Sequence, residues 1–193
     1  MTIHPDNPWL VTLPRRLQTR NGDSVLLRLV GEEDAVQICA ILPQSHRESD
    51  FLNWMPGEFD WTDEREREFI RDHAHRRGAI ILCIESDDRI IALAGAQQMP
   101  FRRFAHHAEI GITILKDHWG KGLGRILMES LIEWGRAEKL GRLTLRVFED
   151  NHRAVRLYRS LGFTKEGRLR ADALRADGRY SDTILMALFL DGE

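Results

Sequence analysis

Three glycines at alternate positions, Gly120, Gly122 and Gly124, lie between an apolar run and a segment with helical periodicity. Glycine permits positive φ angles and allows a ligand to approach the backbone amides closely. The first N–H groups of a helix have no partner within the helix, and the helix dipole favours an anion at that end. The spacing therefore predicts a loop that can cradle an anion such as a phosphate.

The two commonest phosphate-binding loops do not fit this spacing. The Walker loop requires a Gly-Lys pair followed by Ser or Thr, whereas Gly124 is followed by Arg125. The dinucleotide fingerprint requires G-x-G-x-x-G in a βαβ unit, whereas the pattern here is G-x-G-x-G after an antiparallel hairpin. Taken alone, the segment leaves open a simple glycine turn before a helix.

A second pattern lies downstream, in a segment whose periodicity predicts a short helix. Ala154, Leu157, Tyr158 and Leu161 recur at helical spacing and form a stripe that by itself indicates a core face. A tyrosine buried in such a stripe needs only a partner for its hydroxyl. Asn151 precedes the stripe at a position that is typical of a helix cap.

Together the two patterns resemble the signatures of the GNAT family of N-acetyltransferases. The stretch W-G-K-G-L-G resembles the family's acyl-CoA pyrophosphate loop, Gln/Arg-x-x-Gly-x-Gly/Ala, with Gly122 and Gly124 at the small positions. Trp119 stands where Gln or Arg is commonest. The stretch from Asn151 to Gly167 resembles the family's Asn-x-x-Ala-x-x-Leu-Tyr-x-x-x-Gly-Phe-x-x-x-Gly. The resemblance is specific from about Ile81 onward and is nearest to the ribosomal-protein and small-amine branches.

The resemblance implies a fold and a reaction. The fold is α/β: a single-domain acyl-CoA N-acyltransferase with a mixed, mostly antiparallel sheet, flanking helices and splayed central strands. We expect residues 1–22 to be an irregular lead-in and residues 23–193 to form the N-acetyltransferase domain. The reaction is direct attack of a primary amine on acetyl-CoA, the co-substrate, in a ternary complex.

The resemblance also assigns coenzyme A contacts to two segments and one cap. Backbone N–H groups of the glycine loop would bind the pyrophosphate: Gly120, Lys121, Gly122, Leu123, Gly124 and Arg125. The side chains of Lys121 and Arg125 could add positive charge near the phosphates. The strand before the loop would run along the pantetheine arm through Ile112, Thr113 and Ile114, with an N–H near Ile112 stabilising the oxyanion. Asn151 would contact the pantetheine.

Two catalytic roles follow from the resemblance. Tyr158, whose unperturbed pKa is near ~10, would protonate the departing thiolate. A base is needed because a protonated amine has no lone pair, and Glu109 at the start of the strand could act through water. His106 and His107 are rivals because the unperturbed histidine pKa is near ~6.5. No nucleophilic cysteine and no metal is implied.

The acceptor is expected between residues 43–61 and the loop around residues 97–107. Four acidic side chains make the first segment net acidic and favour a cationic acceptor, such as a polyamine, an amine drug or a protein N-terminus: Glu48, Asp50, Glu58 and Asp60. The alternative function is a non-catalytic coenzyme A-binding sensor or interaction domain. The oligomeric state stays open, with a homodimer as one option.

Periodicity predicts the elements that position these residues. Strands are expected at residues 24–30, 79–86, 89–99, 108–115 and 142–148, with a closing hairpin over 169–190. Helices are expected at residues 31–42, 62–78, 121–138 and 151–163. The charged residues of the second helix suggest a solvated face, with Asp63 and Glu66 at capping-box spacing. Residues 43–61 suggest an ordered loop or short helical pieces.

Bulk composition excludes several classes of protein. The chain has 193 residues, 42% hydrophobic and 30% charged, which is typical of a globular domain. A formal net charge of −2 lacks the positive field of a general nucleic-acid binder. Cys39 and Cys83 lie in apolar runs, as expected for small buried thiols in a reducing compartment. No membrane span and no secretory signal are apparent, so we expect a cytoplasmic protein with no membrane partner.

Overall fold

Eight strands form one mixed sheet in the computed structural model, which describes residues 7–190. The strands are β1 (Arg15–Gln18), β2 (Ser24–Leu29), β3 (Ala79–Ser86), β4 (Arg89–Gln98), β5 (His107–Ile114), β6 (Arg142–Phe148), β7 (Thr164–Leu174) and β8 (Tyr180–Phe189). Their order across the sheet is β1-β2-β3-β4-β5-β6-β8-β7. Every neighbouring pair is antiparallel except β5 and β6.

Helices cover both faces of this sheet. They are α1 (Ala35–Glu48), α2 (Asp63–His75), α3 (Leu123–Ala137) and α4 (His152–Ser160). Short 3-10 turns lie at Leu10–Thr12, Glu32–Asp34, Arg102–Phe104 and Lys116–His118. Within residues 7–190 no helix combines the length and apolar composition that a bilayer span requires.

Two hydrophobic cores form because successive strand residues point to opposite faces of a sheet. Leu82 and Ile84 of β3 pack into a core that also contains Leu127 and Leu131 of α3. Cys83, which lies between them, packs into the second core with residues of α1 and α2. The sheet therefore holds α3 on one face and the α1–α2 pair on the other.

The central strands β5 and β6 pair only where they begin. Residues 107–109 of β5 pair with residues 142–144 of β6 in parallel register. Beyond Glu109, β5 has no pairing partner on this side among the described residues, while β6 continues to pair with β8. The predicted splayed strands in a mixed, mostly antiparallel sheet are confirmed.

The expectation of an irregular lead-in is wrong for residues 10–18. Strand β1 lies there and pairs with β2, Leu17 opposite Val25. The strand has four residues and a single large apolar side chain, so its stability comes from pairing rather than from local pattern. Residues 1–6 lie outside the described part of the chain, and the boundary at residue 22 stays a prediction.

Helix α1 also differs from expectation, because it continues through Pro43 to Glu48. A proline inside a helix removes one backbone hydrogen bond and costs about 3 kcal/mol. Burial on both sides of the proline offsets this cost: Ile41 before it and Ser45 and His46 after it are buried. The Ser45 hydroxyl also donates to the Leu42 carbonyl at 2.8 Å. Tertiary packing thus overrides the local helix-breaking signal.

Candidate active site

The gap between β5 and β6 opens into a cleft of about 1660 Å³. Its walls come from β4, β5, β6, the glycine loop, α4 and the segment that joins α1 to α2. Most of the residues that the sequence singles out line it: Glu109, Ile112, Thr113, Ile114, Gly120, Gly122, Leu123, Gly124, Arg125, Asn151 and Tyr158. Lys121, His106 and His107 do not line it.

The backbone of β5 directs alternate residues into the gap. Leu115 N–H donates to the Ile91 carbonyl at 3.1 Å, so the odd-numbered residues of this strand face β4. Ile112 and Ile114 therefore direct their N–H and C=O groups toward the side that β6 has left. Thr113 faces β4 with its backbone, so only its side chain can contribute to the cleft.

The glycine loop has the conformation that its sequence predicts. Gly120 and Gly122 have φ angles of 82° and 91°, and Gly122 caps the N-terminus of α3. Within residues 7–190, the N–H groups of residues 120–124 donate to no carbonyl or side chain. Gly124 has a different role, since a Cβ there would lie 3.0 Å from Leu157 Cδ2. The loop thus presents free amides at a helix N-terminus that packs tightly on α4.

Neighbouring elements hold this loop in place. The Lys121 carbonyl accepts from Arg20 N–H at 2.9 Å, which ties the loop to the turn between β1 and β2. Arg125 pairs with Glu129 at 3.1 Å and donates to the Ser160 hydroxyl at 2.7 Å. Arg125 therefore links α3 to the end of α4 as well as lining the cleft.

Trp119, the residue that departs from the family pattern, joins the loop to β5. Its indole N–H donates to the Ile114 carbonyl at 2.7 Å. The Arg153 guanidinium of α4 lies over its ring, 5.3 Å from the centroid. Trp119 therefore fixes the end of β5 and positions a cation beside the loop.

Tyr158 places a protonated hydroxyl at the cleft. Its side chain is 8% exposed, and its ring packs on Phe163 with 6.1 Å between centroids. Burial raises the pKa of Tyr158 to about 12, so the hydroxyl carries its proton at neutral pH. No side chain or backbone group among residues 7–190 bonds to that hydroxyl. The proton is thus available to a ligand.

Glu109 marks the point where β5 and β6 part. It lies opposite Gln97 of β4 and Thr144 of β6 in the last paired position, and it is exposed to the cleft. His107 instead contacts the Thr144 hydroxyl through Nε2, and burial lowers its pKa. Because His106 and His107 lie outside the cleft wall, the geometry favours Glu109 among the three candidate bases.

Asn151 caps α4. Its side-chain oxygen accepts from Ala154 N–H at 3.2 Å, which is the cap geometry that the sequence predicts. The residue also lines the cleft. Its contact with coenzyme A stays a prediction.

A protein-family model described as the acetyltransferase (GNAT) family matches residues 46–163. The chain belongs to this family. The match begins in α1, so it includes the segment in which the sequence motifs are least specific.

Individual proteins show the same likeness. A GNAT acetyltransferase from Streptococcus pneumoniae is 30% identical, with a TM-score of 0.82 over 86% of this chain and 99% of that one. The fold also matches yncA, a putative acetyltransferase from Salmonella typhimurium with its cofactor acetyl-CoA, at 23% identity and TM-score 0.77 over 88% and 95%. Spermidine N(1)-acetyltransferase from Vibrio cholerae is 31% identical over 64% of this chain and 69% of that protein. The matched parts span 53–73% of the length of eight curated relatives.

The acidic residues that make residues 43–61 net acidic do not line this GNAT cleft, and the cationic acceptor that they favour stays a prediction. None of Glu48, Asp50, Glu58 and Asp60 lines the cleft. Glu48 accepts from Lys116 N–H at 2.8 Å, and Glu58 accepts from Met55 N–H at 2.8 Å. These carboxylates therefore stabilise loops.

Asp150 and Asp172 line the cleft but form ion pairs with Arg175 and Arg146, whereas Glu66 of α2 lines it without an ion pair among the described residues. Its side chain is 3% exposed, so the predicted solvated face is wrong at this position, and the helix is capped by Thr62 instead. A sequence signal was present: Glu66, Phe69, Ile70 and His73 share one face of the helix. Within residues 7–190, Glu66 has no ion pair or side-chain hydrogen bond, and burial raises its pKa to about 7.

Arg175 fastens the segment between α1 and α2 to the rest of the GNAT domain. It is buried, donates to the Asp50 carbonyl, and pairs with Asp150 at 2.5 Å. Its guanidinium lies 4.9 Å from the ring centroid of Phe51 and 4.5 Å from that of Phe148. One side chain thus positions both the segment that joins α1 to α2 and the loop that leads into α4.

Proposed function

We propose that this protein is an N-acetyltransferase that moves an acetyl group from acetyl-CoA to a primary amine. The observation that carries the proposal is a single cleft that contains the free edge of β5, the free amides of Gly120 and residues 122–124, and the Tyr158 hydroxyl. A sheet edge can bond an extended pantetheine arm, and amides at a helix N-terminus can bind its pyrophosphate.

The charge around the loop supports coenzyme A as the donor. Four arginines line this part of the cleft: Arg20, Arg125, Arg153 and Arg156. Cations and unpaired amides together suit a polyphosphate. The contacts assigned to Ile112, Thr113, Ile114 and Asn151 belong to the same proposal.

The residues of the cleft suit direct transfer. Glu109 accepts a proton from the acceptor ammonium through water, which gives the amine the lone pair that attacks the thioester carbonyl carbon. The N–H of Ile112 stabilises the oxyanion that forms. The carbon–sulfur bond then breaks, and the Tyr158 hydroxyl supplies a proton to the leaving sulfur. The amide nitrogen loses its second proton through water, and a proton from water restores the Tyr158 hydroxyl, so the products are the amide, the coenzyme A thiol and one proton released to solvent. No covalent enzyme intermediate is needed.

The acceptor that we propose is a small-molecule amine or a protein N-terminus. A relative named spermidine N(1)-acetyltransferase, 31% identical, supports an amine that carries positive charge. The free thiols Cys39 and Cys83 support a reducing, cytoplasmic setting, which cell fractionation checks. A homodimer stays a prediction for analytical ultracentrifugation.

The test is a transfer assay on the purified protein. Acetyl-CoA is mixed with a panel of diamines, amino acids and N-terminal peptides, and the release of coenzyme A thiol is followed together with the mass of the product. We expect turnover with at least one primary amine. Tight acetyl-CoA binding with no transfer to any member of the panel would overturn the proposal in favour of a coenzyme A sensor.

A further inference from the structure

The cleft contains a buried carboxylate, Glu66, whose charge no group among residues 7–190 balances. Glu66 is buried on α2, yet it lines the cleft. Among residues 7–190 it receives no hydrogen bond from a side chain and pairs with no cation. A buried carboxylate without a partner is costly to the folded state. A ligand that brings a cation into the cleft would offset this cost.

Aromatic rings line the same cleft as this carboxylate, and Phe69 lies on the same face of α2 as Glu66. Trp54, Trp61 and Phe69 line the same cleft. Trp61 lies 5.9 Å from Trp54 and 5.1 Å from Phe69 between ring centroids, so the three rings form a continuous wall. Aromatic faces attract ammonium groups, most strongly in sites with little water. One face of Trp61 is already taken by Arg65, whose guanidinium lies 4.4 Å from its centroid.

The other titratable groups of this part of the cleft do not neutralise Glu66. The ring centroids of His73 and Phe69 are 4.1 Å apart. Burial lowers the pKa of His73, so the imidazole is neutral near pH 7. His46 hydrogen-bonds the Leu42 carbonyl through Nδ1. The arginines that line the cleft lie at the coenzyme A loop, on α4 and on β6, where Arg146 pairs with Asp172.

We infer that Glu66 and the rings of Trp54, Trp61 and Phe69 bind a second ammonium group of the acceptor, one that is not acetylated. The acceptor class is then an aliphatic diamine or polyamine. Glu109 serves the amine that reacts, and Glu66 holds the amine that stays charged. This inference rests on the proposed function, and it adds the residues that select the acceptor.

The experiment compares a diamine with a monoamine of the same carbon chain, diaminobutane with butylamine, in wild type and Glu66→Gln. We expect the substitution to raise KM for diaminobutane by about tenfold or more, since it removes the charge that the second ammonium meets. For butylamine we expect kcat/KM to change by about twofold or less. Glu68→Gln, which removes a charge from the exposed side of the same helix, is the matched control and should alter neither substrate.

Direct binding keeps this inference separate from the proposed function. Calorimetry with diaminobutane in the presence of coenzyme A should show binding to wild type and a loss of about tenfold or more in Glu66→Gln. That result with no acetyl transfer would retain the site and reject the enzyme. Equal diaminobutane binding by both proteins would reject the site. A fall in kcat for both amines would reject it too, because Glu66 would then be a base.

Discussion

At the scale of single residues, Tyr158 separates an enzyme from a coenzyme A sensor. Its hydroxyl is protonated and bonds to no other described group, so its removal affects only what enters the cleft. We expect Tyr158→Phe to lower kcat by roughly 10²- to 10⁴-fold, the usual contribution of a general acid. The Kd for acetyl-CoA, measured by calorimetry, should stay within about threefold because the ring remains. A kcat near that of wild type would assign Tyr158 to the core alone.

Burial of Glu66 predicts that the stability of the protein depends on pH. Its pKa in the folded protein is about 7, against an ordinary value of 4.5. The folded state thus binds this proton more tightly than the unfolded chain does. The stability that protonated Glu66 gives the folded protein is present in full below pH 4.5. The free energy of unfolding falls as pH rises from 4.5 to about 7, and the fall is complete above that range.

The comparison with Glu66→Gln isolates this effect. The glutamine does not titrate, so the Tm of the variant should exceed that of wild type by an amount that grows between pH 4.5 and 7. His73 titrates in both proteins and cancels in the difference. Thermal unfolding of both proteins without ligand, at several pH values, measures this Tm difference. A Tm difference that does not vary with pH would contradict the unpaired carboxylate.

At the scale of elements, the left-handed turn into α3 gives a prediction about both stability and acetyl-CoA binding. Gly122 has φ 91°, and a Cβ there would lie 3.1 Å from Arg20 Cγ. We expect Gly122→Ala to destabilise the fold by about 1–2 kcal/mol, the cost of a left-handed conformation in a residue with a Cβ. We also expect weaker acetyl-CoA binding, because the loop amides lose their alignment.

Gly178, in the turn between β7 and β8, provides the matched control. Its φ is 81°, and a Cβ there would meet nothing within 4 Å. Gly178→Ala should therefore lower the free energy of unfolding by a similar amount and leave the Kd for acetyl-CoA unchanged. Equal effects of the two substitutions on this Kd would show that the loop does not bind the donor.

The elements also show which structure could be predicted from the sequence. The hairpin of β3 and β4, the glycine loop and α4 follow from local period and turn residues, and all three form as expected. Strand β1 and the end of α1 beyond Pro43 could not be predicted, because pairing with β2 and burial in a core stabilise them. Glu66 was missed because the apolar face that it shares with Phe69 and Ile70 is narrow in a helix that is otherwise charged.

At the scale of the whole molecule, the acetyl group could pass through an acetylated enzyme or move directly to the amine in a ternary complex, and the two routes require different sites. A route through an acetylated enzyme needs a nucleophile at the cleft. Neither Cys39 nor Cys83 lines it, and burial raises their pKa values to about 11 and about 12, so both remain thiols. The splayed strands instead open one cleft that is lined by both the glycine loop and the aromatic wall, which suits a ternary complex.

We therefore expect sequential kinetics. Double-reciprocal plots of rate against acetyl-CoA, at several fixed amine concentrations, should intersect, since both substrates must be bound before the amine attacks. The double variant Cys39→Ala, Cys83→Ala should retain a kcat within about threefold of wild type, although loss of two packed side chains will lower its Tm. Parallel plots, or an acetylated protein detected by mass spectrometry when the amine is left out, would instead require a covalent intermediate. The geometry of the cleft would then need a nucleophile other than these two thiols.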